Sequence, residues 1–530
     1  MNGHDGRDFC MNTQIIRETI ETEQPVSMNP IQTAVETEAL LPGGLRDEAR
    51  LFYAGAAALP GESESSGSRL VLSGKVIFRV LFSQGDLTRV QPLEVTASYA
   101  QPVSLPAGLE NVSLRCRRVF AVVEQTTAKL ASGRVLLRAV LRLEPDLVQE
   151  KNVSLVSRLD GNDCAEYLTR TTETVREAGE GEVQDTLRDE FELSDVLQVE
   201  STLFATGYAQ PEDVSLTPDG KARVTGTVHI EAYHTSRMPQ RPLIYTRHTM
   251  PYEQEIALSG EKGNLLSALT QVRDIAVLSQ DGAENTGEKT MRCETVVRSR
   301  VCALESSEKS LLEDLYTTCG ENLTAVKGSV SLCTQAAHAD AAESVRCLLP
   351  LPDGAPRLAQ PLLGFLNPVP VSTQRAAGRL IVNGVLHATL VYMTDDSQVP
   401  VSAQAEAPFS VAYTTDAQPE DRLTLFTSDV ELSALTSDKA EIKYILHMAA
   451  DGARYTRMNA VTDVAENEKE SEPCGVSLCF LQTDETLWDV AKRYRVAKET
   501  LARLNPDLTG EPSPGQALLM YRRHSQAGES

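Results

Sequence analysis

The stretch CFLQTDETLWDVAKRYRVAKETLARLNPDLTGEPSPGQALLMY, residues 479–521, sets the reading of the whole chain. Leu487, Val490, Ala491 and Tyr494 recur at i, i+3, i+4 and i+7, which places four apolar groups on one face of a first helix. Thr486 followed by Asp489 forms a capping-box pattern, in which hydroxyl and carboxylate satisfy N–H groups that the first turn leaves unpaired. A second, shorter helix fits Lys498 to Leu504, with Leu501 and Leu504 facing inward. It should stop at Asn505-Pro506, because proline restricts the residue before it. Strands flank the pair: Cys479 and Leu481 alternate on one side, Leu518 and Met520 on the other, and Pro514-Gly515 turns the chain into the last strand.

Strand, helix, helix, strand with the T-L-W, A-x-x-Y and L-N-P signatures resembles a LysM domain over residues 476–523. The resemblance implies binding of N-acetylglucosamine-containing glycans, as in peptidoglycan, by two loops. Here these are Asp484, Glu485, Thr486 and Leu487, with Trp488 beside them, and Asn505, Pro506, Asp507 and Leu508. Three positions depart from the family. Asp484-Glu485 stands for the usual Gly-Asp, Arg495 for the glycine after the first helix, and Ala497 for the usual Ser or Thr cap. Glycine lets a sugar approach the backbone and tolerates positive φ, so a carboxylate there is expected to obstruct a shallow glycan groove and favour a protein ligand.

The remaining residues read as a β-rich platform. A length of 530 residues implies about three to five domains. Hydrophobic residues at 41% and aromatics at 5% suit a β-rich protein with an ample core, and a net charge of −24 argues against nucleic-acid binding, which needs a basic face. The charge is uneven. Val476–Arg523 holds seven Lys and Arg against six Asp and Glu, a net of +1, so the rest carries −25. No apolar run approaches the roughly 18 residues of a membrane span, and residues 1–24 have no apolar signal core, so the expected location is the cytosol. Ten scattered cysteines without a C-x-x-C pair read as reduced structural thiols.

The platform contains an internal repeat. RLVLSGKVIFRVLF from Arg69, ARVTGTVHIEAY from Ala222 and RLIVNGVLHATLVY from Arg379 align on Gly74, Gly226 and Gly384, which are 152 and 158 residues apart. Leu72, Val76, Phe78 and Val80 alternate in the first, Val224, Val228, Ile230 and Ala232 in the second, and Val382, Leu386, Ala388 and Leu390 in the third, the period of a strand. An aromatic follows each, at Tyr99, Tyr252 and Phe409, and each segment closes in a hairpin: 112–123 with 134–143, 269–278 with 291–303, and 423–435 with 441–448. The three glycines imply a bend or a close neighbour. Polar stretches at Gln149–Asn152 and Glu305–Lys309 mark breaks, and ENEKESEP, Glu466 to Pro473, reads as a flexible tether. The expected organisation is three sandwich-like β units at 1–150, 151–308 and 309–465, an acidic linker at 466–475, and the βααβ module at 476–523.

Three such units followed by one LysM resemble the clostridial-type spore-coat morphogenetic proteins, which join SPOCS (DUF3794) domains to a C-terminal LysM. The resemblance covers almost the whole chain. It implies work inside the mother cell at the forespore surface, where the LysM contacts stage IV sporulation protein A, the coat-basement ATPase, and the other domains engage further coat components.

A search for chemistry yields little. The sequence has no G-x-S-x-G, H-E-x-x-H, Walker-type or dinucleotide-binding motif. His229 and His387 sit three residues after the aligned glycine, where the first segment has Ile77, and read as solvated or edge histidines, with no second ligand at metal-coordination spacing. Glu253, Glu255, Asp395 and Asp396 read as solubilising charge. Trp488 reads either as packing against Tyr494 or as an exposed partner contact. Lys492, Arg493, Arg495 and Lys498 read either as partners of the helix C-terminal dipole or as steering charges for an acidic partner. The expectation is a non-enzymatic scaffold without cofactor or metal, with a peptidoglycan-binding protein as the alternative.

Overall fold

The structure, a computed structural model, describes residues 13–42, 49–66, 69–106, 114–131, 133–260, 263–279, 288–319, 321–468, 475–506 and 513–522. It is mostly β. The first lobe holds β1 (Gln14–Val26), β2 (Ile31–Leu40), β3 (Ala49–Ser66), β4 (Arg69–Gln84), β5 (Asp86–Ser104), β6 (Leu114–Ala131) and β7 (Arg134–Asp160). The second holds β8 (Ala165–Ser194), β9 (Val199–Leu216), β10 (Ala222–Ser236), β11 (Leu243–Ile256), β12 (Ser259–Gly260), β13 (Leu265–Ser279) and β14 (Glu288–Thr317). The third holds β15 (Leu323–Pro350), β16 (Gln360–Ala376), β17 (Arg379–Thr394), β18 (Ser397–Tyr413), β19 (Arg422–Thr436) and β20 (Lys439–Glu466). The C-terminal module follows as β21 (Gly475–Phe480), α1 (Leu487–Arg493), α2 (Lys498–Leu504) and β22 (Ala517–Arg522).

One pairing scheme occurs in all three lobes. The last strand lies between the first and the penultimate: β7 between β1/β2 and β6, β14 between β8 and β13, β20 between β15 and β19. The intervening strands make antiparallel meanders, β3-β4-β5, β9-β10-β11 and β16-β17-β18. The two sheets of each lobe face each other across a core. Leu72, Val76, Phe78 and Val80 meet Val135, Leu137, Leu141 and Leu143. Val224, Val228 and Ile230 meet Met291, Val297 and Val301, and Val382, Leu386 and Leu390 meet Ile442, Tyr444 and Leu446. Every residue picked out by period two is therefore buried.

The aligned glycines are there for space. Gly74 pairs with Tyr99 on one side and Pro60 on the other, Gly226 with Tyr252 and Pro211, and Gly384 with Phe409 and Pro370. A Cβ on any of the three would run into the facing aromatic ring and a backbone carbonyl of the proline-bearing strand. The ladder slips beside each of these rows, so the irregularity lies where proline removes an N–H.

The expected breaks at 149–152 and 305–309 lie inside unbroken strands. β7 and β14 run on past them because each strand serves two cores. Their near halves line the lobes. Their far halves, with β1 and the matching parts of β8, β15 and β20, pack into a common stem around Leu155, Leu311, Val330, Met458 and Ala460, and around Val156, Leu159, Leu312, Leu315 and Val461. The polar stretch is the strip of strand between two cores. At the other end, Phe52, Tyr53 and Leu81 from the first lobe, Leu203, Phe204 and Tyr233 from the second, and Leu362, Leu363, Phe365 and Val391 from the third form one apolar plug. Its rings stack, Tyr53 on Phe365 at 3.8 Å between centroids. Ion pairs such as Arg118–Asp451 (3.0 Å), Arg422–Asp146 (3.0 Å), Arg115–Glu177 (3.0 Å) and Arg247–Asp429 (3.0 Å) join the lobes between plug and stem.

One sulfur expectation is corrected. Cys164, in the turn from β7 to β8, is disulfide-bonded to Cys319, in the turn from β14 to β15, with Cα atoms 5.6 Å apart. The two turns lie 155 residues apart in sequence, and the stem brings them side by side, which spacing along the chain could not reveal.

Candidate functional site

The C-terminal module builds itself as its apolar spacing dictates. Thr486 caps α1, its Oγ1 accepting from Asp489 N (3.3 Å) while Asp489 Oδ2 accepts from Thr486 N (2.9 Å). Leu487, Trp488, Val490 and Ala491 are buried with Leu501, Cys479, Leu481, Leu518 and Met520. Tyr494, expected on the first helix, is its C-cap. Ala497 begins α2 without a side-chain cap.

The module is docked on the stem. Trp488, read from sequence as packing on Tyr494 or facing a partner, instead lies edge-on to Tyr316 of β14 at 4.9 Å and donates from Nε1 to Asp314 Oδ2 at 3.0 Å. Lys492 Nζ reaches Asp314 Oδ1 at 2.6 Å, and Lys327 of β15 reaches Oδ2 at 3.1 Å. Burial pushes the Asp314 carboxyl upward, but the hydrogen bonds from Lys492, Trp488 and Lys327 outweigh it and hold it below the usual range. Tyr316 Oη donates to Val496 O (2.7 Å), and Arg495 donates from Nε to Thr317 O (2.9 Å) and from Nη2 to Glu321 O (3.2 Å). Lys492 and Arg495 thus find their acceptors on the stem. Arg493 pairs within the module, with Glu485. The tether begins fastened as well: Asn467 N donates to Asn322 O at 2.8 Å.

The expected ligand loops are only partly brought together. Asp484 is exposed with φ 65°, and Arg495 has φ 52°, so both positions keep the left-handed backbone usual for glycine. Glu485 does not project into open space, because its carboxylate accepts from Gln482 N (3.0 Å) and pairs with Arg493. Asn505 is spent on the fold. Its Nδ2 donates to Leu501 O and Leu519 O, both at 2.8 Å, and its Oδ1 accepts from Leu519 N at 2.7 Å, tying α2 to β22. Pro506 is exposed, and Asp507 and Leu508 lie outside the described residues.

The feature that sequence reading passed over is the far face of the module's sheet. Val476, Leu478 and Phe480 on β21, with Leu519 and Tyr521 on β22, are 70%, 65%, 64%, 37% and 48% exposed. Val476 pairs with Tyr521 and Leu478 with Leu519, so the five form one contiguous apolar face directed away from the helices. The alternation was legible, since Cys479 and Leu481 take the inner face. That the outer face was equally apolar was the available signal.

Two polar clusters could suggest chemistry. At the junction of the lobes, adjoining cavities of about 630 and 590 Å³ share Arg118, Arg300, His338, Asp340 and Asp451. His338 is held between Asp340 (3.0 Å) and Asp451 (2.9 Å), whose hydrogen bonds push its pKa up to about 10. It is a fixed cation, not a proton shuttle near neutrality. Ser428 Oγ lies 2.8 Å from His447 Nε2 but also 2.9 Å from Asp429 Oδ2. The serine hydroxyl is thus shared between imidazole and carboxylate. Among the described residues no cluster of three or more His, Cys, Asp or Glu has metal-holding spacing, and no helix is long and apolar enough to cross a membrane. No family model matches the sequence, and neither a curated protein nor a solved structure is significantly similar to it.

Proposed function

We propose that the chain is a non-enzymatic scaffold of the spore-coat morphogenetic type, with three copies of a SPOCS-like β unit and a LysM-like module. The module binds the coat-basement sporulation ATPase, stage IV sporulation protein A, in the mother cell, and the lobes recruit other coat components at the forespore surface. The observation that carries the reading is the apolar outer face of β21 and β22. A glycan site needs shallow polar grooves, whereas five clustered apolar side chains fit a protein surface. Removing each from water contributes roughly 1.5–3 kcal/mol before the costs of association. The module is docked on the stem that joins the lobes, so contacts made by each add to avidity.

The test is capture of the ATPase from sporulating cells by the full chain and by its Leu478→Glu and Phe480→Glu variants. Both changes point outward and leave the module core intact. Loss of capture supports the reading, and capture equal to the parent chain overturns it. Trp488→Ala is unsuitable, since it also breaks the bond to Asp314. The second reading, peptidoglycan binding, rests on the left-handed backbone kept at Asp484 and Arg495. Saturable co-sedimentation with purified peptidoglycan, insensitive to Leu478→Glu, would favour it.

A further inference from the structure

The Cys164–Cys319 disulfide lies beside the ledge on which the module sits. Thr317 and Glu321, which flank Cys319 in the chain, are the residues whose carbonyls accept from Arg495, and Tyr316 binds Val496. Apart from the sulfur bridge, the two turns are held together by the closing rung of the β8–β14 ladder, Ala165 with Thr317, and by Thr318, whose N and Oγ1 both donate to Cys164 O, at 2.8 and 3.1 Å. Among the described cysteines the bridge is also the sulfur site most open to water. Cys319 is exposed and Cys164 half-buried, while burial pushes up the thiols of Cys116, Cys293, Cys302, Cys333, Cys347 and Cys479. A small thiol meets the bridge first.

We propose that this disulfide is a thiol-sensitive clamp on the module: oxidised, it fixes the ledge and holds the module down; reduced, it lets the ledge move and the module loosen. In the reaction a low-molecular-weight thiolate attacks Cys319 Sγ, the sulfur–sulfur bond breaks, and Cys164 leaves as a thiolate that takes a proton from water. A second thiol resolves the mixed disulfide. Two thiols are thereby oxidised to one external disulfide as the bridge becomes two cysteines. The clamp does not depend on what the module binds.

Trp488 is the single tryptophan and lies in the docking contact, so its fluorescence reports the clamp directly. The full chain is oxidised in air, then treated with dithiothreitol, with alkylation and mass measurement counting the thiols in each state. Reduction should release two further thiols, more than double acrylamide quenching of Trp488, and leave far-ultraviolet circular dichroism unchanged. Reoxidation should restore the first value. The Cys164→Ser, Cys319→Ser double variant should be highly quenched in both states. Unchanged quenching after the bridge is measured as reduced overturns the proposal. So does an air-oxidised chain with all ten cysteines alkylatable, or a rise in quenching accompanied by loss of β signal, which would mark the bridge as a global brace.

Discussion

Gly384 shows how one missing side chain shapes a sheet. Phe409 lies over it from the next strand, and the Val369 carbonyl approaches from the other, so Gly384→Ala forces ring or strand to move. The expected cost is roughly 1–3 kcal/mol, read as a lower urea midpoint. A similar change at Gly378, which has open space, positive φ and a turn position, should cost only its backbone strain. Two histidines set opposite limits of pH. His234 is buried between Thr202 (3.2 Å) and Thr246 (2.8 Å), and burial, with Lys289 nearby, lowers its pKa from 6.5 to about 4. The unfolded chain takes up that proton first, so the stability His234 contributes is complete above 6.5 and erodes as pH falls toward 4. His338, raised to about 10, contributes fully below 6.5 and loses its share as pH rises toward 10. Urea midpoints should therefore fall on both sides of mild acidity, and His234→Gln should flatten the acid limb alone.

At the scale of strands and helices, much could be read in advance. The three alternating segments, their aromatic partners, the closing hairpins and both short helices follow from local periodicity, with Tyr494 capping α1 instead of lying inside it and Leu504 only half-buried. What escaped was contact across distance: the prolines opposite the glycines, the plug of Tyr53, Phe204 and Phe365, the disulfide, and the burial of Trp488 against β14. Polar composition at 149–152 and 305–309 also misled, because a strand joining two cores carries a solvated strip that looks like a linker. A one-residue insertion after Lys151 separates the two explanations. In β7 it would flip every side chain beyond it, turning Val156 and Leu159 out of the stem core, and the unfolding midpoint should drop sharply. A tether would absorb the extra residue with no change.

For the molecule as a whole, plug, ion pairs and stem bind the lobes at three levels, and the module is fastened at the stem's tip. The particle should scatter as one body. A compact chain of this length has a radius of gyration of about 24 Å, and small-angle scattering should give a value near that. Lobes strung as beads would give a clearly larger one.

The pairing of first strand with last has a consequence for synthesis. Val26 of β1 pairs with Leu147 of β7, and Ala165 of β8 with Thr317 of β14, so an emerging strand waits for a partner more than a hundred residues behind it. At about 5–20 residues per second, the opening strand of each lobe spends many seconds beside the ribosome with an unsatisfied edge. A nascent chain halted before β7, β14 or β20 should need chaperone capture to stay out of aggregates, and one halted just after should not.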